Sequence, residues 1–270
     1  MPIETVIPIN EAPESDEQEK ERIGMTSPVK STEELETSEN GGYPVPTADD
    51  IKFCKLATVP MFIFGLISQI LVYGSIGFLG PTLALHLLKY QDFDEFWVAI
   101  YFGVPSIIYV LNTPLVSVYV KIINRRCVLL IGSLLLCMGV YFVGSSPMLG
   151  LEDSSKYIFV GLCLIGFSAA LIVIPLFPEM LVSIETKLPE LAGDELNNVS
   201  AGYFNAFIGV GEALGPISAS LMVHKWGFRN SQDIVATLMF IYCVLFFAVN
   251  GNCSILSCVK DDQDKDEHFS

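Results

Sequence analysis

The sequence predicts an all-α membrane fold of six transmembrane helices, and three observations carry that prediction. Hydrophobic residues make up 51% of the 270-residue chain and the mean hydropathy is +0.52, values of a polytopic membrane protein. Six apolar stretches are long enough to cross a hydrocarbon core, which takes about 20 mostly apolar residues in helical form. The formal net charge of −15 belongs mainly to the two ends of the chain. Residues 1–50 hold 13 acidic and 3 basic side chains, residues 259–270 hold 5 and 2, and residues 51–258 hold 12 and 10. Acidity of this sign and placement argues against a nucleic-acid partner. The expected organisation is therefore an acidic, disordered tail over 1–50, a six-helix transmembrane domain over 51–258 and a second acidic tail over 259–270.

The N-terminal tail has no apolar stretch behind a basic start, so the first spanning segment is expected to anchor the chain. That segment runs from about Ala57 to His86 and places Gln69, Tyr73 and Gly77 on one side. The second, Phe96 to Val120, carries Pro105 and Pro114 and should be kinked. The third, Cys127 to Gly144, is short, and the fourth, Lys156 to Ser183, is interrupted by Pro175 and Pro178. The fifth runs from Val199 to Val223 and the sixth from Ile234 to Asn250.

The connections are short and polar. Lys52, Lys55, Lys121, Arg125, Arg126, Lys187 and Lys260 collect on one side, and Lys89, Lys156, Lys225 and Arg229 on the other. The richer side should be cytosolic, which puts both termini in the cytosol. The sequons at Asn198 and Asn252 then face the cytosol and stay unmodified. Seven cysteines lie scattered, without a Cys-x-x-Cys pair or a His-Cys cluster, so no metal site is expected. Cys253 and Cys258, just past the last apolar run, are weak candidates for S-acylation. His86, at the end of the first segment, reads as a boundary residue.

The fifth segment is the most informative. Gly202, Gly209, Gly211, Gly215 and the neighbouring Pro216 suit close helix packing. Glu212 sits near its middle, where a carboxylate costs roughly 2.5 kcal/mol or more unless it faces protein or water. Asn205, Gly209 and Glu212 recur at i, i+4 and i+7 and share one face. A lined cavity and a paired helix contact both account for that seam, with the cavity favoured. On the second segment Tyr101, Pro105, Tyr109 and Asn112 form a broad stripe, and on the first Gln69 and Tyr73 stand one turn apart. Each set suits either a cavity wall or plain packing. Glu179, after the paired prolines of the fourth segment, either lines a pathway through a broken helix or reaches the membrane edge. Phosphate-binding loops, a Gly-x-Ser-x-Gly elbow and a His-Glu-x-x-His pair are missing from the sequence, so neither an enzyme nor a cofactor is expected.

Four pieces resemble the C-terminal half of major facilitator superfamily transporters, and within them the vesicular amine and polyamine transporter group. Gly77-Phe-Leu-Gly-Pro-Thr-Leu-Ala-Leu-His-Leu87 resembles the end of that family's seventh helix. Val120-Lys-Ile-Ile-Asn-Arg-Arg126 resembles its basic loop between helices eight and nine, and Ile174-Pro-Leu-Phe-Pro-Glu-Met-Leu181 its tenth helix. Gly209-Val-Gly-Glu-Ala-Leu-Gly-Pro216 with Trp226-Gly-Phe-Arg229 is similar to helix eleven and its exit. The resemblance covers roughly residues 53–250 and implies half of a twelve-helix fold whose solute cavity lies between two six-helix halves. Three positions where it implies ionisable residues are here Gly80, Asn205 and Ala170, and Glu212 is the acid that stands in for one of them.

The resemblance thus implies secondary active transport of a small organic solute, in its most specific form proton-coupled antiport of the vesicular amine or polyamine type. The pathway residues would be Glu212, Asn205, Glu179, Tyr109, Asn112, Tyr101, Gln69 and Tyr73. The partners implied are the lipid bilayer, the solute, protons and a second six-helix half, supplied by another copy or another chain. The membrane would be that of an intracellular vesicle or the plasma membrane. A structural or regulatory membrane protein, or a truncated product, that keeps the half-fold without transport is the competing expectation.

Overall fold

The computed structural model describes residues 51–90 and 93–250. A single helical turn, Phe53–Leu56, precedes six long helices: α1 (Pro60–Tyr90), α2 (Glu95–Ile122), α3 (Arg125–Val143), α4 (Ser155–Lys187), α5 (Asp194–Trp226) and α6 (Phe228–Asn250). All six are long and apolar enough to cross a membrane, so this is an integral, multi-pass membrane domain. The helices α1, α3 and α5 begin at one end of the bundle, the near end, and finish at the far end.

Several boundaries differ from those expected. The fifth helix begins at Asp194 rather than Val199, because Asp194 and Glu195 in its first turn complement the positive end of the helix dipole. The sixth begins at Phe228 rather than Ile234, and a single residue, Gly227, with φ 77, turns the chain between α5 and α6. The stretch read as a connection over 224–233 is therefore mostly helix. Helix α4 runs on to Lys187, and its Pro175 and Pro178 lie inside one continuous helix rather than at a break. Cys253, Cys258, the Asn252 sequon and both acidic tails lie outside the described residues.

Lipid tails are as apolar as leucine, so these helices associate through close packing and hydrogen bonds more than through burial from water. The most extensive contact is α1 against α5, where Gly74 and Gly77 meet Gly211 and Gly215. A Cβ added at Gly215 would stand 2.5 Å from the Gly74 carbonyl oxygen, so no larger residue fits without moving a backbone. Helix α4 is held between α3 and α2, and Gly166 lets it sit directly on the Pro105 carbonyl of α2. Polar links fasten the rest. The Tyr242 hydroxyl of α6 donates to Phe64 O at 3.0 Å and also meets Ser68 of α1. The Asn112 amide of α2 donates to Phe167 O of α4 at 2.9 Å. Tyr141 and Thr237 join α3 to α6 through a hydroxyl pair at 3.0 Å.

The core is shared by α1, α3, α4 and α6, while α2 and α5 are the least buried helices. Both tryptophans of the chain, Trp97 and Trp226, stand exposed at the far end, on α2 and α5. Amphipathic indoles settle at the level of the lipid headgroups, so the pair marks one membrane interface.

Candidate functional site

Between α1, α2 and α4 lies a cleft of about 370 Å³. It exists because α1 and α2 barely touch each other while both lean on α4. Its floor is the point where Gly166 meets Pro105. Its polar side chains are Tyr73 from α1 and Ser106 and Tyr109 from α2, and the remaining wall is apolar. Tyr73 and Tyr109 share the cleft wall, and the α5 backbone at Glu212 packs against Gly77, one turn along α1 from Tyr73. Two phenols and one carboxylate, from three helices, thus share one neighbourhood. Chemically they offer hydrogen-bond donors, aromatic faces and a single ionisable acid.

The other expected pathway residues are distributed around this centre. Asn205 and Glu212 both stand on the exposed face of α5, and Glu212 makes no ion pair among the described residues. Gln69 is fully buried, and neither amide atom has a partner among the described residues. It does not line the cleft. Asn112 is also buried, committed through its amide nitrogen to Phe167 O and left with an unpartnered Oδ1. Tyr101 lies toward the far end in an aromatic group, 5.3 Å from Phe93 and 5.8 Å from Phe159 between ring centres. Glu179 is held at the near end by Arg126, Nε to Oε1 at 2.7 Å.

Among the expected packing residues, Gly211, Gly215 and Pro216 lie against α1. A Cβ on Gly202 or Gly209 would touch nothing within 4 Å, so these two glycines lie away from that contact. They sit on the uncovered side of α5 with Asn205 and Glu212. The 3.6-residue period explains this: 202, 205, 209 and 212 fall on one face, and 211 and 215 on another.

Sequence reading passes over several residues that the fold makes prominent. Ser106 is in the cleft wall, and Gly166 sets the cleft floor. The only sequence signal for Gly166 is its place in a stretch rich in small residues, Gly166-Phe-Ser-Ala-Ala170. Asp233 and Gln232, expected in a loop, are buried in the first turns of α6. At the far end His86 contacts Asp153 at 3.2 Å and stacks on Phe228 at 4.4 Å between ring centres. Among the described residues no group of three or more His, Cys, Asp or Glu side chains comes together to hold a metal.

No protein-family model matches the chain. Curated relatives do. The chain is 33% identical over 186 residues to the MFS-type transporter SLC18B1 of Rattus norvegicus, covering 67% of this chain and 40% of the relative. It is 32% identical over 181 residues to the protein of that name from Mus musculus, and 28% identical over 186 residues to that from Homo sapiens. The chain spans about two fifths of the length of the relatives it matches.

Proposed function

From a chain homologous to MFS-type transporters and folded as six apolar helices, one half of a major facilitator superfamily fold, we propose secondary active transport of a small organic solute. The observation that carries this reading is the cleft of about 370 Å³ into which Tyr73 and Tyr109 enter from two helices, with Glu212 on the adjoining α5. That capacity falls among small-molecule sites, which run from about 300 to 1,000 Å³.

A second six-helix half completes the pathway. Support for it comes from the two least buried helices, α2 and α5, which carry the cleft tyrosine and the exposed acid. In this arrangement Asn205 and Glu212 face the second half across a wet path, Glu212 takes the coupled proton, and Tyr73 and Tyr109 hold the solute. Gln69 and Asn112 form the polar layer behind the wall, Tyr101 braces its far end, and Glu179 braces the near end. The near end, with Lys55, Lys121, Arg125, Arg126 and Lys187, is the cytosolic one. The protein would serve an intracellular vesicle or the plasma membrane, in proton-coupled exchange for an organic solute.

The test is to purify the native complex in mild detergent, read its mass and that of the protomer, and reconstitute it in liposomes with an imposed pH gradient. A second six-helix half, supplied by a copy, by another chain or within a protomer about twice 29.7 kDa, together with uptake that an uncoupler abolishes, is the expected result. A lone protomer without uptake would overturn it in favour of a non-transporting membrane protein.

A further inference from the structure

We propose that the α3–α4 connection, residues 144–154, is a proton-responsive strap across the far end of the bundle, fastened permanently by Arg229 and conditionally by His86. Every contact in it is made within the described residues, and it does not depend on which solute the protein carries.

The connection closes on itself before it meets either anchor. Leu151 N–H donates to Ser146 O at 3.1 Å, Leu149 N–H to the Ser146 hydroxyl at 3.3 Å, and Ser146 N–H back to Tyr141 O at 3.1 Å. Ser145 turns the chain out of α3 with φ 42, a left-handed conformation that few residues other than glycine adopt. Arg229, in the first turn of α6, then staples the two ends of the loop. Its Nε and Nη2 donate to Ser145 O at 3.1 and 2.6 Å, and Nη2 also donates to Leu151 O at 2.6 Å. A guanidinium keeps its charge at any pH the protein meets, so this anchor does not vary.

The second anchor does. Asp153, two residues beyond the stapled loop, meets Nε2 of His86 at 3.2 Å, and the His86 ring stacks on Phe228 at 4.4 Å between centres. One buried imidazole thus joins α1, the connection and α6. Imidazole is the side chain whose charge ordinarily changes between about pH 5 and 8. When both of its nitrogens carry protons it donates to an ionised carboxylate in a charge-assisted bond, roughly twice as strong as a neutral one. The strap therefore tightens as pH falls, down to about pH 4 where carboxylates themselves take up protons, and slackens as pH rises.

A proton reaches the ring through a far-end cavity of about 370 Å³ that both His86 and Asp153 line. Lys89 of α1 and Arg229 of α6 are the other charged groups on its wall, and their charge opposes that of a protonated ring. Helix α5 gives it only uncharged residues, Trp226 among them, and Asp94, Glu95, Glu152 and Lys156 on neighbouring elements line no part of it. In the orientation proposed above the far end faces away from the cytosol, so acid on that side would draw the strap shut.

The test is backbone hydrogen exchange of the purified full chain in detergent, read by mass spectrometry at about pH 5.5 and about pH 7.5, with exchange times scaled for the intrinsic effect of pH. Peptides over 145–154 should exchange about three- to tenfold more slowly at the lower pH, the worth of one strengthened bond, while the helix centres change little. His86→Asn and Asp153→Asn should each remove the difference in protein that circular dichroism and gel filtration show to be folded. Should the buried His86→Asn fail to fold, Asp153→Asn, at the partly exposed partner, decides alone. Equal exchange at the two pH values in the unmodified chain would overturn the inference, and so would a pH difference that survives in either folded variant.

Discussion

Arg126, at the start of α3, donates from Nε to the Glu179 carboxylate of α4 at 2.7 Å, and its Nη2 reaches Ser183 at 3.4 Å. The backbone of Arg126 is fixed locally, since the Asn124 side chain caps α3 by accepting from the Arg126 backbone N–H. The near ends of two packed helices are thereby tied by charge. The same contact means that Glu179 already has a partner.

Removing one member should destabilise the bundle. Glu179→Gln or Arg126→Gln is expected to cost about 1–3 kcal/mol, the range for a charge-assisted hydrogen bond that keeps some water. Thermal unfolding in detergent measures it. An unchanged midpoint in both variants would show that the pair does not hold α3 to α4.

The glycines of α5 separate into two classes by what a side chain would meet. Gly215→Val should split α5 from α1, because even a Cβ falls 2.5 Å from the Gly74 carbonyl oxygen. Gly211→Ala meets the Ile70 backbone at 3.1 Å and should cost about 1–3 kcal/mol. Gly202→Ala and Gly209→Ala meet nothing within 4 Å and should be neutral or slightly stabilising. A disulfide cross-link engineered between α1 and α5 would report the splitting directly, and equal effects at all four positions would contradict the packing described here.

Glu212→Gln should abolish uptake driven by a pH gradient while leaving expression and helix content intact. Counterflow, which needs no gradient, should persist. Full gradient-driven uptake in the variant would assign the proton elsewhere.

Cysteines placed at Asn205 and Glu212 should react with a water-soluble thiol reagent in membranes of the native complex, after Cys54, exposed among the described residues, and Cys253 and Cys258 beyond them are changed to Ser. A cysteine at Leu221, exposed on a different face of α5, should stay unreactive. Equal protection at all three positions would mean that no wet path runs along α5.

The number and order of the helices are legible in the sequence because hydrophobic length decides them. Their ends are not, because charges read as loop are accommodated inside helices. Arg229 shows how: its guanidinium donates to Ser145 O and Leu151 O at 2.6 Å, so a basic residue sits in the first turn of α6. The cleft is legible only in part. Tyr101, Pro105, Tyr109 and Asn112 share a stripe, yet it climbs about 16 Å along α2 at 1.5 Å per residue. Over that height it meets different neighbours, an aromatic group at Tyr101, the cleft at Pro105 and Tyr109, and an α4 carbonyl at Asn112. Spacing gives a direction around the axis, whereas the identity of what lies opposite depends on how α4 is seated.

The single-residue turn at Gly227 makes α5 and α6 a lever and its anchor. Helix α6 is fastened to α1 by Tyr242 and to α3 by Thr237, while α5 touches little besides α1. Displacing α5 would therefore load the Gly227 turn at its far tip and the glycine contact with α1. Its near end is clasped by rings instead, Tyr203 against Phe53 and Phe62, and Phe204 against Phe177.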